Sequence, residues 1–203
     1  MAGFNIANFK SQGLQLGGAR PSLFSVELIL PPIPGLDRSQ QGRAEFLIKS
    51  AALPASTIGE IDVSYFGRKI KIAGDRTFDD WTVTILNDED FRLRDTMENW
   101  SNYINTHISN RVGGALASPQ VYKTDLVVKQ YGKTGPGDES GVIRSYKIVG
   151  AFPTQISAIT LDWDRNNTIE EFDVRFAYDY WTPGDVGGTY TWSPRLTDDG
   201  TGL

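Results

Sequence analysis

The chain reads as a mainly β protein, an antiparallel β-barrel or sandwich with one flanking α-helix. Three observations predict it. Short apolar runs alternating with polar residues recur along most of the length, turn residues separate them, and only one stretch carries apolar residues at helical spacing.

The strand pattern begins at residues 24–30 (FSVELIL), where Phe24, Val26, Leu28 and Leu30 share a face. Pro31 and Pro32 end it, because proline supplies no ladder donor. Residues 31–43 read as a loop and 45–51 as a second, mostly apolar strand. Residues 61–73 read as a hairpin bent near Phe66-Gly67, with Ile70 and Ile72 alternating against Lys69 and Lys71. Strands are further predicted over 81–86, 125–131, 142–149 and 156–163. Across 168–181, Phe172, Val174, Phe176, Tyr178 and Tyr180 alternate against Glu171, Asp173 and Arg175, which predicts one core face and one charged face.

The single predicted helix follows residue 88. Leu93, Met97, Trp100 and Ile104 form one burying stripe, Asn87 or Asp88 is placed to cap it, and Asp88, Glu89 and Asp90 suit its positive end. Gly113-Gly114 is the expected stop.

Composition narrows the function classes. A chain of 203 residues, 39% of them hydrophobic, fits one domain that buries its own core. It has no cysteine, which excludes disulfides and thiolate metal sites and suits a reducing compartment. With no long apolar run and no basic start followed by an apolar segment, neither a membrane span nor a secretory signal is expected. A net charge of −5 argues against tight nucleic-acid binding, which needs clustered Lys and Arg to displace phosphate counterions.

Apparent chemical motifs dissolve when their spacing is checked. Gly132-Lys133-Thr134 has the end of a phosphate-binding loop, but Val127 occupies the position of the first glycine and Gly135-Pro136-Gly137 replaces the helix start. Asp162, Asp164 and Asn166 have the spacing of calcium-loop ligands, yet Asn167 and Asp173 stand where Gly and Glu belong, so a tight turn is the better reading. His107, the one histidine, cannot form a histidine metal cluster and suits a packed or capping role. No nucleophile, base and oxyanion donor come together, so no enzyme, metal or cofactor is expected.

Two long segments, IAGDRTFDDWTVTILNDED at 72–90 and LDWDRNNTIEEFDVRFAYDYW at 161–181, closely resemble the tail tube proteins of contractile-tailed phages of the T-even type. ARPSLFSVEL at 19–28 and ALPAS at 52–56 match in the same order. The resemblance implies an Hcp-like tail tube fold, shared with the type VI secretion tube and related injection machines, over residues 19–181. Residues 1–18 then form an N-terminal arm and 182–203 a C-terminal extension rich in Gly, Thr, Asp and Pro.

In such a family, hexameric rings stack into a hollow tube. About four strands per subunit give roughly 24 at about 4.8 Å spacing, a backbone diameter near 37 Å before tilt widens it. The resemblance also implies a tail sheath protein, a tape measure protein, a baseplate tube initiator and a tail terminator as partners. DNA would pass transiently without specific binding, and the tube would lie in the virion tail after assembly in the host cytoplasm. An inner tube subunit of a type VI-like or other contractile injection system, or a tube-initiating or capping protein of the same fold, is the alternative.

Within that frame, Asp75, Arg76, Phe78, Asp79, Asp80 and Trp81 are the candidate subunit interface, expected as a charge-paired corner with Phe78 and Trp81 buried. Lys69, Lys71, Glu171, Asp173 and Arg175 are the candidate lumen face. The two lysines would then set positive charge inside a bore otherwise expected to repel DNA.

Overall fold

A computed structural model describes Ile6 and residues 18–112, 118–133 and 141–184. Nine strands are formed among them: β1 (Phe24–Leu28), β2 (Ile48–Ala51), β3 (Thr57–Tyr65), β4 (Arg68–Thr77), β5 (Trp81–Leu86), β6 (Thr124–Tyr131), β7 (Val142–Ile156), β8 (Glu171–Ala177) and β9 (Tyr180–Gly184). Three helices accompany them: α1 (Gln40–Leu47), α2 (Arg92–Ile104) and the short α3 (Pro119–Tyr122).

Every strand pair is antiparallel. The main sheet runs β1-β6-β7-β8-β5-β2, with β9 added on β7. Its end strands β1 and β2 do not pair with each other, so the sheet folds into an open sandwich and does not close as a barrel.

Strand β7 makes the fold possible by belonging to both layers. Its first part pairs with β6 and β9, and its last part, Phe152 to Ile156, pairs with β8. Gly150 sits at the crossing with φ +70, a left-handed conformation open to glycine at little cost. The same crossing divides the alternating run expected as one strand over 168–181. Strands β8 and β9 pair with different parts of β7, and Asp179 between them returns its N–H to the Val149 carbonyl at 3.0 Å.

Between the layers lie Val26, Leu28, Leu126, Val128 and Ile148 from one side and Val83, Ile85, Phe172, Val174 and Phe176 from the other. Helix α2 closes this core with the predicted stripe: Leu93, Met97 and Trp100 are buried and Ile104 packs at its edge. The helix starts later than its acidic run suggests. Asp90, not Asn87 or Asp88, accepts the first-turn N–H of Arg92, at 3.3 Å, and Phe91 is the capping position at φ 54. It ends at Ile104, where Asn105 turns extended. Gly113-Gly114 lies outside the described residues.

Two strand expectations are corrected. Residues 45–47 belong to α1, because Asp37 holds the Ser39 N–H and hydroxyl and the Gln40 amide at the helix start. Gln40 and Ala44, one turn apart, supply the buried face. Residues 157–170 are not a strand: β7 ends at Ile156, and the chain crosses to β8 in an irregular loop. In that loop Asp162 accepts the Asp164 N–H at 3.0 Å and Asn167 takes φ 63, the Asx-type turn expected there.

Arg43 of α1 clips the segment before α2, reaching Asp90 at 2.6 Å and Asp88 on the other guanidinium nitrogen. The Arg43 hydrogen bond holds the Asp90 carboxyl below its ordinary value of 3.8. Hydrogen bonds from Ser39 and Gln40 hold Asp37 below the same value. Carboxyls depressed in the folded state contribute stability that is present above the unfolded value and is lost as pH falls through the folded one. The melting-temperature gap between wild type and Asp90→Asn is therefore expected to be open at neutral pH and to close below about pH 4. A gap unchanged down to pH 2 in calorimetry would remove the clip from the acid response.

Candidate assembly interface

Strands β3 and β4 form a hairpin that pairs with no other strand. It is joined at its base to β2 and β5, which pair with each other, so it extends that pair beyond the sandwich. Its turn is Phe66-Gly67, both at positive φ (45 and 77). That is the two-residue geometry matched to strand twist, and Gly67 suits it while Phe66 does not. A bulky residue at positive φ costs energy, yet Phe66 is 90% exposed at the tip and stacks edge-on to Tyr65.

Register assigns the two faces. Ile61 opposes Ile72 and Val63 opposes Ile70, giving an apolar face; Asp62 opposes Lys71 and Ser64 opposes Lys69 on the other. All the residues of β3, and all of β4 but Gly74, are exposed. A two-stranded ribbon with an uncovered apolar face is marginal alone and gains stability from another surface.

The candidate lumen residues fall into two groups in separate sheets. On the hairpin, Lys69 pairs with Asp62 at 3.2 Å and Lys71 with Glu60, so the positive charge expected there is balanced on the same face. On β8, Phe172, Val174 and Phe176 point into the core and Glu171, Asp173 and Arg175 point out. Lys49 reaches Glu171 at 2.5 Å, and the Thr84 hydroxyl donates to Asp173 at 2.7 Å.

The corner at the hairpin base is ordered by aromatic residues, not by ion pairs. Trp81 is buried and donates its indole N–H to the Ala52 carbonyl at 2.6 Å. Phe78 is only half-buried and lies 5.9 Å from the Tyr178 ring. Arg76 gives its guanidinium to the Ser56 hydroxyl at 2.8 Å and forms no ion pair with Asp75, Asp79 or Asp80, because it faces the opposing strand beside Ile58. Those three carboxylates stay exposed. Burial pushes the Tyr178 hydroxyl up, with Asp79 and Asp80 adding to the shift.

Trp181 completes the corner, donating to the Ala55 carbonyl at 3.0 Å. Sequence reasoning did not place Trp181 or Tyr178 here. Their signal was the spacing of aromatic residues at the end of the last run, which had been read as the face of a single strand.

The other motifs stay apart from these surfaces. His107 is exposed beyond α2, with its backbone N–H held by the Asn102 side chain at 3.0 Å. Gly132 bonds across the β6–β7 connection to Gly141 at 2.8 Å, and Gly135-Pro136-Gly137 lies outside the described residues. No group of three or more His, Asp or Glu suited to a metal ion is found among the described residues.

Comparison with known proteins agrees with the unpartnered hairpin. The model of the phage tail tube protein family matches residues 19–183. The chain is 39% identical over 164 residues to the tail tube protein gp19 of Enterobacteria phage T4, covering 80% of this chain and 90% of that one. It is 40% identical over the same length, with the same coverage, to the tail tube protein gp19 of Enterobacteria phage T6. In fold it is similar to the tube-terminating cap of the anti-feeding prophage (TM-score 0.56, 18% identity, covering 82% of this chain and 91% of that one). It is similar also to a chain of the sheath-tube complex of the extracellular contractile injection system PVC (TM-score 0.51, 15% identity, covering 90% and 99%). An antiparallel sandwich with an uncovered two-stranded arm is thus what this family builds from such a sequence, and the chain belongs to the phage tail tube protein family, a family of structural proteins and not of enzymes.

Proposed function

We propose that the chain forms hexameric rings that stack into the inner tube of a contractile phage tail, the conduit through which the genome enters the host. The hairpin carries this reading. Its apolar face is half-exposed at every position, and a second copy is the surface that removes both the apolar exposure and the open strand edges. Residues 19–181 act as the tube domain, with the arm before it and the extension after it free for contacts with neighbours. The corner of Asp75, Arg76, Phe78, Asp79, Asp80 and Trp81 lies at the hairpin base, next to that interface.

The charge pairing supports a non-gripping bore. Lys69, Lys71 and Arg175 bring positive charge, but Asp62, Glu60, Glu171 and Asp173 accompany them. A duplex moving past such faces finds no cluster of unpaired cations to displace its counterions. The tube stands in the virion tail after assembly in the host cytoplasm, surrounded by sheath, begun on a baseplate initiator, measured by the tape measure and closed by a terminator. The 39–40% identity to T4 and T6 tube proteins, against 15–18% to the injection-system chains, favours the phage tube over the injection-system alternative.

Negative-stain microscopy and mass measurement of the purified protein test this. Six-fold rings with a central pore are expected, alone at high concentration or on a baseplate. A compact monomer at every concentration, with baseplate present, would sink it.

A further inference from the structure

Two surfaces of this chain remain uncovered and are complementary to each other. One is the hairpin tip, where Tyr65 and Phe66 project as an aromatic knob, 63% and 90% exposed. The other is the loop of residues 157–170, which surrounds a cavity of about 580 Å³. Its rim carries Leu161, Trp163 and Ile169, at 78%, 99% and 68% exposure. A cavity of this size falls in the range of about 300–1,000 Å³ that buries a small organic ligand, ample for one or two aromatic side chains.

Their positions in the fold are opposite. The hairpin leaves the β2–β5 pair at the end marked by Ala51 and Trp81. The loop reaches the other end of β5, where Leu86 opposes Glu171 and the Asn87 N–H bonds the Glu170 carbonyl at 2.8 Å. Knob and cavity therefore face away from each other along one line of strands. A contact between unlike surfaces at opposite ends joins copies head to tail and repeats without closing. Charge agrees: Arg68 at the tip, opposite Tyr65, makes no ion pair among the described residues, and the loop carries Asp162 and Asp164 beside a single Arg165.

We propose that the Tyr65–Phe66 tip of one copy seats in the Leu161–Trp163–Ile169 cavity of a copy in the next ring, and that this contact drives stacking as distinct from ring closure. It rests on the stacked-ring assembly proposed above. The strained positive φ at Phe66 fits this role, because the side chain is held outward, ready to bind, at a cost that docking offsets.

Phe66→Ala and Trp163→Ala each change a side chain that is almost wholly exposed, so folding, followed by circular dichroism, should be retained. Each variant is expected to form rings while tube length in electron micrographs falls at least tenfold. Tubes of wild-type length in both variants would overturn the proposal. Loss of rings as well as tubes would assign the contact to ring closure and overturn it too. Rings and tubes absent from the wild type would instead refute the assembly beneath it. Because the chain has no cysteine, proximity can be read independently. The doubly substituted Arg68→Cys, Asp164→Cys protein, assembled and oxidised, should give a ladder of covalent oligomers that neither single variant gives. A double variant that assembles without a ladder places the tip elsewhere.

Discussion

Replacing Trp100 by alanine should lower stability by about 3–5 kcal/mol, the range for deleting a buried aromatic side chain. Trp100 is fully buried, lies 6.0 Å from the Phe176 ring, and donates its indole N–H to the Tyr122 carbonyl at 2.9 Å. The substitution opens a cavity between α2 and β8 and releases α3 from the helix. For a domain of this size each kcal/mol shifts the melting temperature by about 2–4 °C, so a fall on the order of 10 °C is expected in calorimetry. Trp100→Phe separates the two contributions, since it keeps most of the volume and loses the hydrogen bond. A shift under about 2 °C for Trp100→Ala would show that the helix does not depend on this residue.

Gly150→Ala should be the most costly change to a glycine in the described fold. The backbone there has φ +70, and an added Cβ would lie 2.3 Å from the Asp179 Oδ2 atom. Relief requires Asp179 to leave, which breaks its ion pair with Lys123 at 2.6 Å and disturbs the step from β8 to β9. A loss of about 3 kcal/mol is expected from backbone strain and crowding together. Gly42→Ala is the control: Gly42 lies inside α1 with open space around its Cα, and alanine there should stabilise by about 0.5–1 kcal/mol. Equal melting temperatures for the two variants would contradict the role given to the strand crossing.

The sequence carried the faces of the elements further than their partners. Alternation in β5 and β8 located Val83, Ile85, Phe172, Val174 and Phe176 in the core, and the α2 stripe came through unchanged, because a period of two or of 3.6 is a property of the chain alone. The Phe66-Gly67 bend was also legible, since two residues between alternating runs leave few other turns.

What stayed hidden depended on contacts far along the chain. Residues 45–47 are apolar enough for strand or helix, and only the caps from Asp37 and the burial of Gln40 and Ala44 select α1. The corner was legible as aromatic and charged but not as to who bonds whom: Arg76 turns to Ser56, and Trp81 and Trp181 hold the carbonyls of Ala52 and Ala55.

The sequence by itself determined a β-rich domain, its single long helix, the hairpin and, through long ordered matches, the family. Only the tertiary structure decided that β7 serves two layers through Gly150, that β8 and β9 are separate strands, and that the hairpin stands clear of the sandwich with Lys69 and Lys71 already neutralised. The physical reason is that local pattern fixes which side of a strand is apolar, whereas strand partners are chosen by residues scores of positions away.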